Sequence, residues 1–196
     1  MSDIILKPCD IVLVRGTSFI SRMIRIFTRH IGEKRTKVNH VGMVILGGGS
    51  YLPTKFGDGV IIEALSQVKI RNLRQAYGPP NKADIAIYRP TNLSEEQLDI
   101  IWRGAMDHLN QRYGWPRVIA HALDRLFLGV YLFRRLIPHN KYPICSWLVA
   151  HAYSKVGKDF GVPVGTATPD DIWDFVAERG ETPYVCIYPL GRLNGE

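Results

Sequence analysis

Apolar residues run almost without a break through Ile11-Val12-Leu13-Val14 and again through Val41 to Leu46, short β-branched runs that suit buried strands. The pattern predicts strands over 10–15, over 38–46 where Gly47-Gly48-Gly49 stops it, and over 59–65, the last two pairing antiparallel across a connecting loop. Two further strands follow, over 83–89 closed by Pro90 and over 183–188. Helical spacing takes over elsewhere. Ile20, Met23, Ile24 and Phe27 interleave with Arg22, Arg25 and Arg29 after Thr17-Ser18, an amphipathic helix. Ser94-Glu95-Glu96-Gln97 reads as a capping box, and Leu98, Ile101, Trp102, Ala105 and Leu109 then share a face up to a helix end near Arg112, before Tyr113-Gly114-Trp115-Pro116. Pro143 starts another helix, with Cys145, Leu148, Val149, Ala152 and Val156 on one face. Thr168-Pro169-Asp170-Asp171 opens a final helix running to about Arg179.

Strands and helices in this mixture predict an α+β chain, an antiparallel sheet packed against helices, and 196 residues with 46% hydrophobic and 22% charged content suit a single domain, 1–196. The apolar run from Leu126 to Phe133 is interrupted on both sides by Asp124, Arg125, Arg134 and Arg135, far short of the roughly 20 apolar residues that cross a bilayer. It is a core helix or a surface-inserting one. The start Met1-Ser2-Asp3-Ile4-Ile5 lacks the basic leader and apolar segment of a secretory signal, so a cytoplasmic product is expected. Cys9, Cys145 and Cys186 make neither a CxxC pair nor an even set, which argues against a disulfide framework or a metal cage; no metal and no cofactor is expected.

The net charge of +7 is concentrated in residues 15 to 37, where Arg15, Arg22, Arg25, Arg29, Lys34, Arg35 and Lys37 face Glu33 alone. Such a segment is either a solvated helix face or a patch that attracts an anionic membrane surface or an acidic wall polymer. Nucleic acid is not required.

Three residues carry the candidate chemistry. Cys145 stands at a helix start, where free N–H groups favour a thiolate; by position alone it is equally a small buried hydrophobe. Alternation puts Val38, His40, Gly42 and Val44 on one strand face, so His40 is either a satisfied core group or a base. Glu63 shifts that balance. It is the carboxylate of Val60-Ile61-Ile62-Glu63-Ala64-Leu65, where a buried charge needs a partner, and on an adjacent strand it would accept a hydrogen bond from one His40 nitrogen and turn the other toward Cys145. The candidate triad is Cys145, His40 and Glu63, with the histidine ahead of the cysteine in the chain.

With these pieces in this order, the chain resembles the circularly permuted, YiiX-like branch of the NlpC-type papain-fold cysteine peptidases and amidases, related to lecithin:retinol acyltransferase-like proteins. The matching segments are Cys9-Asp10-Ile11-Val12, Asn39-His40-Val41-Gly42-Met43-Val44, Ile61-Ile62-Glu63-Ala64, Leu93 to Gln97, Cys145-Ser146 and Thr168-Pro169-Asp170-Asp171-Ile172. The resemblance implies a permuted papain-like fold, an antiparallel sheet or partial barrel packed against helices, with Cys145 as nucleophile, His40 as general base and acid, and Glu63 as orienter. Trp147 stands where the family has an acid, which would make the cleft bulkier and less acidic. Arg15, Tyr142 and Trp147 are candidate substrate contacts.

The implied function is hydrolysis of an amide bond, in a cell-wall peptide or amino-acid conjugate, through a thioester acyl-enzyme. A thiol-dependent lipid hydrolase or acyltransferase at a membrane surface is the alternative, and a non-catalytic binding module on the same fold is the third reading. Wall substrates would be met through phage delivery, lysis or recycling.

Overall fold

The computed structural model describes residues 4–16, 36–45, 54–55, 58–81, 83–114, 143–178 and 183–193. The expected helix around Ile20 to Phe27, the apolar run from Leu126 to Phe133 and Tyr142 lie outside these residues.

Strands β1 (Ile5–Leu6), β2 (Ile11–Arg15), β3 (His40–Val44), β4 (Thr54–Lys55), β5 (Val60–Ala64) and β6 (Val68–Asn72) lead into helix α1 (Leu73–Tyr77). Strand β7 (Asp84–Pro90), helices α2 (Glu95–Met106), α3 (Cys145–Ser154) and α4 (Pro169–Trp173) and strand β8 (Tyr184–Arg192) follow, with a π-helical turn over Asp174–Glu178 after α4. Six strands form one antiparallel sheet in the order β6-β5-β3-β2-β7-β8, and β1 pairs with β4 separately. The fold is α+β. Among the described residues no helix is long and apolar enough to cross a membrane.

The unbroken apolar runs are explained by cover on both faces of the sheet. Ile11, Leu13, Val41, Met43 and Ile62 pack with Ile101 and Ala105 of α2 and Leu148, Val149 and Ala152 of α3. Val12, Val14, Val44, Ile61, Ile85 and Ile87 pack on the other side with Leu73, Ala76 and Tyr77 of α1. Burying each large aliphatic side chain stabilises the fold by roughly 1.5–3 kcal/mol. Asp10 is a buried carboxylate of this frame: Arg89 of β7 grips it just before β2 with two hydrogen bonds of 2.8 Å, and the Lys7 N–H adds a third at 2.8 Å. A buried carboxylate so held joins two strands; stripped of its arginine it would cost about 3–5 kcal/mol.

Several boundaries differ from the sequence pattern. Helix α2 carries the expected Ser94/Gln97 capping box but ends at Met106, not near Arg112. The chain turns through Asn110, whose φ of 66° is left-handed, and then bonds to the start of β6 through Val68 N–H to Gln111 O. Leu109 therefore belongs to a turn. Val38 packs with Val41 and Met43 and not on the His40 face, because the regular strand begins only at His40. Pro143 precedes the N-cap of α3, Ile144, and the first helical residue is Cys145.

Candidate active site

Two elements bring the nucleophile candidate into place. Cys145 opens α3, whose N-cap Ile144 makes no side-chain capping bond, so the first-turn N–H groups are not claimed by the N-cap side chain. The Ser146 N–H points to the Cys145 sulfur. From the sheet comes a second backbone donor, the Val41 N–H. It is available because the β3/β5 ladder runs from Val44↔Ile61 to Gly42↔Glu63 and stops there, one residue short of Val41.

The His40 ring bonds to both partners. Its Nε2 lies 2.7 Å from Glu63 Oε2, which leaves Nδ1 as the nitrogen for the Cys145 thiol, with which the ring also hydrogen-bonds. Burial by itself would push the imidazole down, but the Cys145 sulfur and then Glu63 carry it up to about 10. Burial likewise pushes the Cys145 thiol up, and the His40 charge and hydrogen bond, with the Val41 and Ser146 N–H groups, outweigh it and bring the thiol below its ordinary value. Both directions favour a thiolate-imidazolium pair.

Glu63 is fully buried and satisfied by three donors. Tyr77 O–H and His40 share Oε2, while Arg71 Nη1 reaches Oε1 at 2.9 Å. Burial opposes the charge of Glu63, but His40, Tyr77 and Arg71 hold the carboxyl below its usual range. Tyr113 completes the surroundings, its hydroxyl hydrogen-bonded to Cys145. Burial first, and then the sulfur's charge, raise that phenol far above its ordinary value, so it remains a donor.

Cys145, His40 and Glu63 are thus brought together from α3, β3 and β5. Arg15 and Trp147 are engaged elsewhere. Arg15 bonds Asp84 Oδ2 of β7 through Nε at 3.0 Å and Nη2 at 2.7 Å. Trp147 is 2% exposed, stacked on His151 with ring centroids 4.5 Å apart and edge-on to His108 at 5.0 Å. Burial, with Lys155 and His108, pushes His151 down to about 4. Cys9 is buried, which raises its thiol far above the ordinary range, and its sulfur meets Leu98 O; Cys186 is exposed on β8.

Arg71 and Tyr77 are the site residues that the sequence pattern passed over. The signal for Tyr77 is Asn72 followed by Leu73, Ala76 and Tyr77, a short capped helix with an i, i+3, i+4 apolar face; the Asn72 side chain accepts the Gln75 N–H at 3.0 Å. Arg71 belongs to Val68-Lys69-Ile70-Arg71-Asn72, an edge strand whose charges hide its alternation. Tyr113 reads in sequence as part of a helix stop.

No family model matches the chain, and no curated protein matches it. Solved structures do, among them the metalloprotein YiiX from Escherichia coli O157:H7, with a TM-score of 0.53 and 19% identity over 80% of this chain and 69% of that one. Among the described residues here, no group of three or more His, Cys, Asp or Glu side chains is placed to hold a metal ion. The likeness to YiiX is one of fold, an α+β chain built on an antiparallel sheet.

Proposed function

We propose that the protein is a cysteine hydrolase of amide bonds on a circularly permuted papain-like fold, with a cell-wall peptide or amino-acid conjugate in the cytoplasm as its substrate. The observation that carries this reading is the continuous chain of hydrogen bonds from the Cys145 thiol through His40 to Glu63 at the N-terminus of a helix. The strand-borne histidine preceding the nucleophile helix supports the permuted order.

In the proposed reaction the Cys145 thiolate attacks the amide carbonyl carbon. The oxyanion is met by the Cys145 N–H and the Tyr113 hydroxyl, both beside the sulfur. His40 gives its Nδ1 proton to the departing nitrogen, the C–N bond breaks and a thioester remains. Water then attacks the thioester, His40 takes a proton from it, the C–S bond breaks, and the acid leaves a regenerated thiolate-imidazolium pair.

Mass spectrometry of the protein after exposure to pooled peptidoglycan fragments, peptides and lipids tests this, with His40→Ala slowing deacylation. An acyl adduct on Cys145 from a peptide or amino-acid conjugate is the expected result. An adduct from lipid would move the assignment to lipid acyl transfer, and full turnover by Cys145→Ala would end the reading.

A further inference from the structure

We infer that Arg71 and Tyr77 are positioning residues that hold Glu63 as an oriented carboxylate while His40 loses and regains its proton. The inference rests on the cysteine-hydrolase reading and concerns a step that reading leaves unexplained. When the imidazolium has given its proton to a leaving group, His40 is neutral and no longer balances Glu63. The Glu63 side chain has no solvent exposure, and a buried carboxylate without a cation takes up a proton or moves toward water.

Arg71 answers this requirement. Its guanidinium is always charged, and its Nη1 holds Glu63 Oε1 at 2.9 Å, on the oxygen that His40 does not use. Tyr77 supplies the second hold, donating to Oε2 beside the His40 contact. Burial and the Glu63 charge raise this phenol well above its ordinary value, so it does not compete as an anion. With both oxygens held, the carboxylate plane cannot rotate, Nε2 keeps its proton, and Nδ1 keeps facing Cys145 in every protonation state of the cycle.

The two donors are one local construction. Arg71 pairs with Ile61 across the β5/β6 ladder, two residues from Glu63 and so on its face, and α1 follows β6 directly to deliver Tyr77. The charged or titratable groups around Glu63 are His40 from β3, Arg71 and the cross-strand partner of Glu63, Lys69, from β6, Tyr77 from α1 and Cys145 from α3. Arg71 contributes the permanent positive charge in direct contact.

The test reads Cys145 alkylation by iodoacetamide against pH in wild type, Arg71→Met, Arg71→Lys and Tyr77→Phe, with thermal unfolding recorded alongside. Wild type should alkylate well below the pH range of a free thiol. In Arg71→Met and Tyr77→Phe the profile should move up by about one pH unit, a roughly tenfold loss of rate on its acid limb, with Arg71→Lys recovering most of it. A purely structural role would lower the unfolding temperature and leave the profile where it was, which overturns the inference. A wild type without low-pH reactivity would instead end the cysteine-hydrolase reading. A second measurement needs no variant of Arg71 or Tyr77: the infrared difference between wild type and Glu63→Gln, both with Cys145 carbamidomethylated, at a pH where the NMR shifts of the His40 ring report a neutral imidazole. An ionised carboxylate band is expected from Glu63, and a carboxylic acid band would overturn the proposal.

Discussion

Gly42 lies directly opposite Glu63 in the β3/β5 ladder, and a Cβ added to it would come within 3.1 Å of Ile62 O and 3.3 Å of Glu63 Cβ. A backbone oxygen cannot rotate aside, so Gly42→Ala must part β3 from β5 by a few tenths of an ångström. Overpacking of that kind costs about 1–3 kcal/mol. The larger effect falls on Glu63, moved against three fixed donors and away from His40. Turnover in the folded variant should drop by roughly tenfold or more, since small misplacements of catalytic geometry are expensive. Circular dichroism and unfolding temperature beside kcat separate the two effects; a folded Gly42→Ala with unchanged kcat would refute the argument.

The Cys145/His40 pair has a pH signature in stability. His40 is raised from 6.5 to about 10, so its contribution is complete below the unfolded value and is lost as pH rises through about 10. Cys145 is lowered from 9.0, so its contribution is present above the unfolded value and is lost as pH falls through the folded one. Above both the lowered Cys145 value and the unfolded His40 value of 6.5, and up to 9.0, the folded pair and the unfolded pair each hold one proton, and linkage predicts no slope there. The difference in unfolding free energy between wild type and Cys145→Ala should therefore be a plateau across that window, falling on both sides. A difference that climbed steadily through neutral pH would show that no ion pair forms.

Tyr113 offers a different discrimination. Its hydroxyl bonds the sulfur in the resting site, where it helps to hold the thiolate, and the same hydroxyl meets the oxyanion of the proposed intermediate. Tyr113→Phe should lower kcat by roughly 10²–10³-fold, the usual cost of removing an oxyanion donor, with a much smaller change in KM. Steady-state kinetics on the substrate identified by the adduct experiment measure this. Equal changes in KM and no change in kcat would assign Tyr113 to substrate binding alone.

The strands and the meeting of Cys145, His40 and Glu63 were legible in the sequence for the same reason. Val12, Val41 and Ile62 stand in apolar runs that only a sheet covered on both faces can use, and Glu63 is conspicuous as a charge inside such a run. The helix start at Cys145 was visible from Pro143 and the apolar spacing beyond it. The edge strand β6 and helix α1 escaped because Lys69, Arg71 and Asn72 make that segment look like a loop, and their value appears only when β5 lies alongside. The end of α2 was misplaced because Asn110, not Gly114, takes the left-handed conformation, and an asparagine is a weaker stop signal than glycine followed by proline.

Asp170 shows how a segment read as a helix cap and as part of the family resemblance also supports the site. Thr168 and Asp171 form the capping box of α4, while Asp170, buried between them, accepts the Lys37 N–H at 3.0 Å. Lys37 lies three residues before His40 in a stretch where Asn39 also receives the Gly16 N–H at 2.7 Å, so the approach to β3 is held from two sides. Asp170→Ala removes a buried, charged acceptor from the Lys37 N–H, a loss of about 1.5–3 kcal/mol. Asp170→Asn keeps an acceptor oxygen of the same reach and should recover a good part of it. Because Asp170 acts on the segment ahead of His40 and not on the ring, the alkylation profile of Cys145 should keep its midpoint in Asp170→Asn, with only the unfolding temperature reduced. A shifted midpoint with unchanged stability would place Asp170 in the electrostatics of the pair and not in its support.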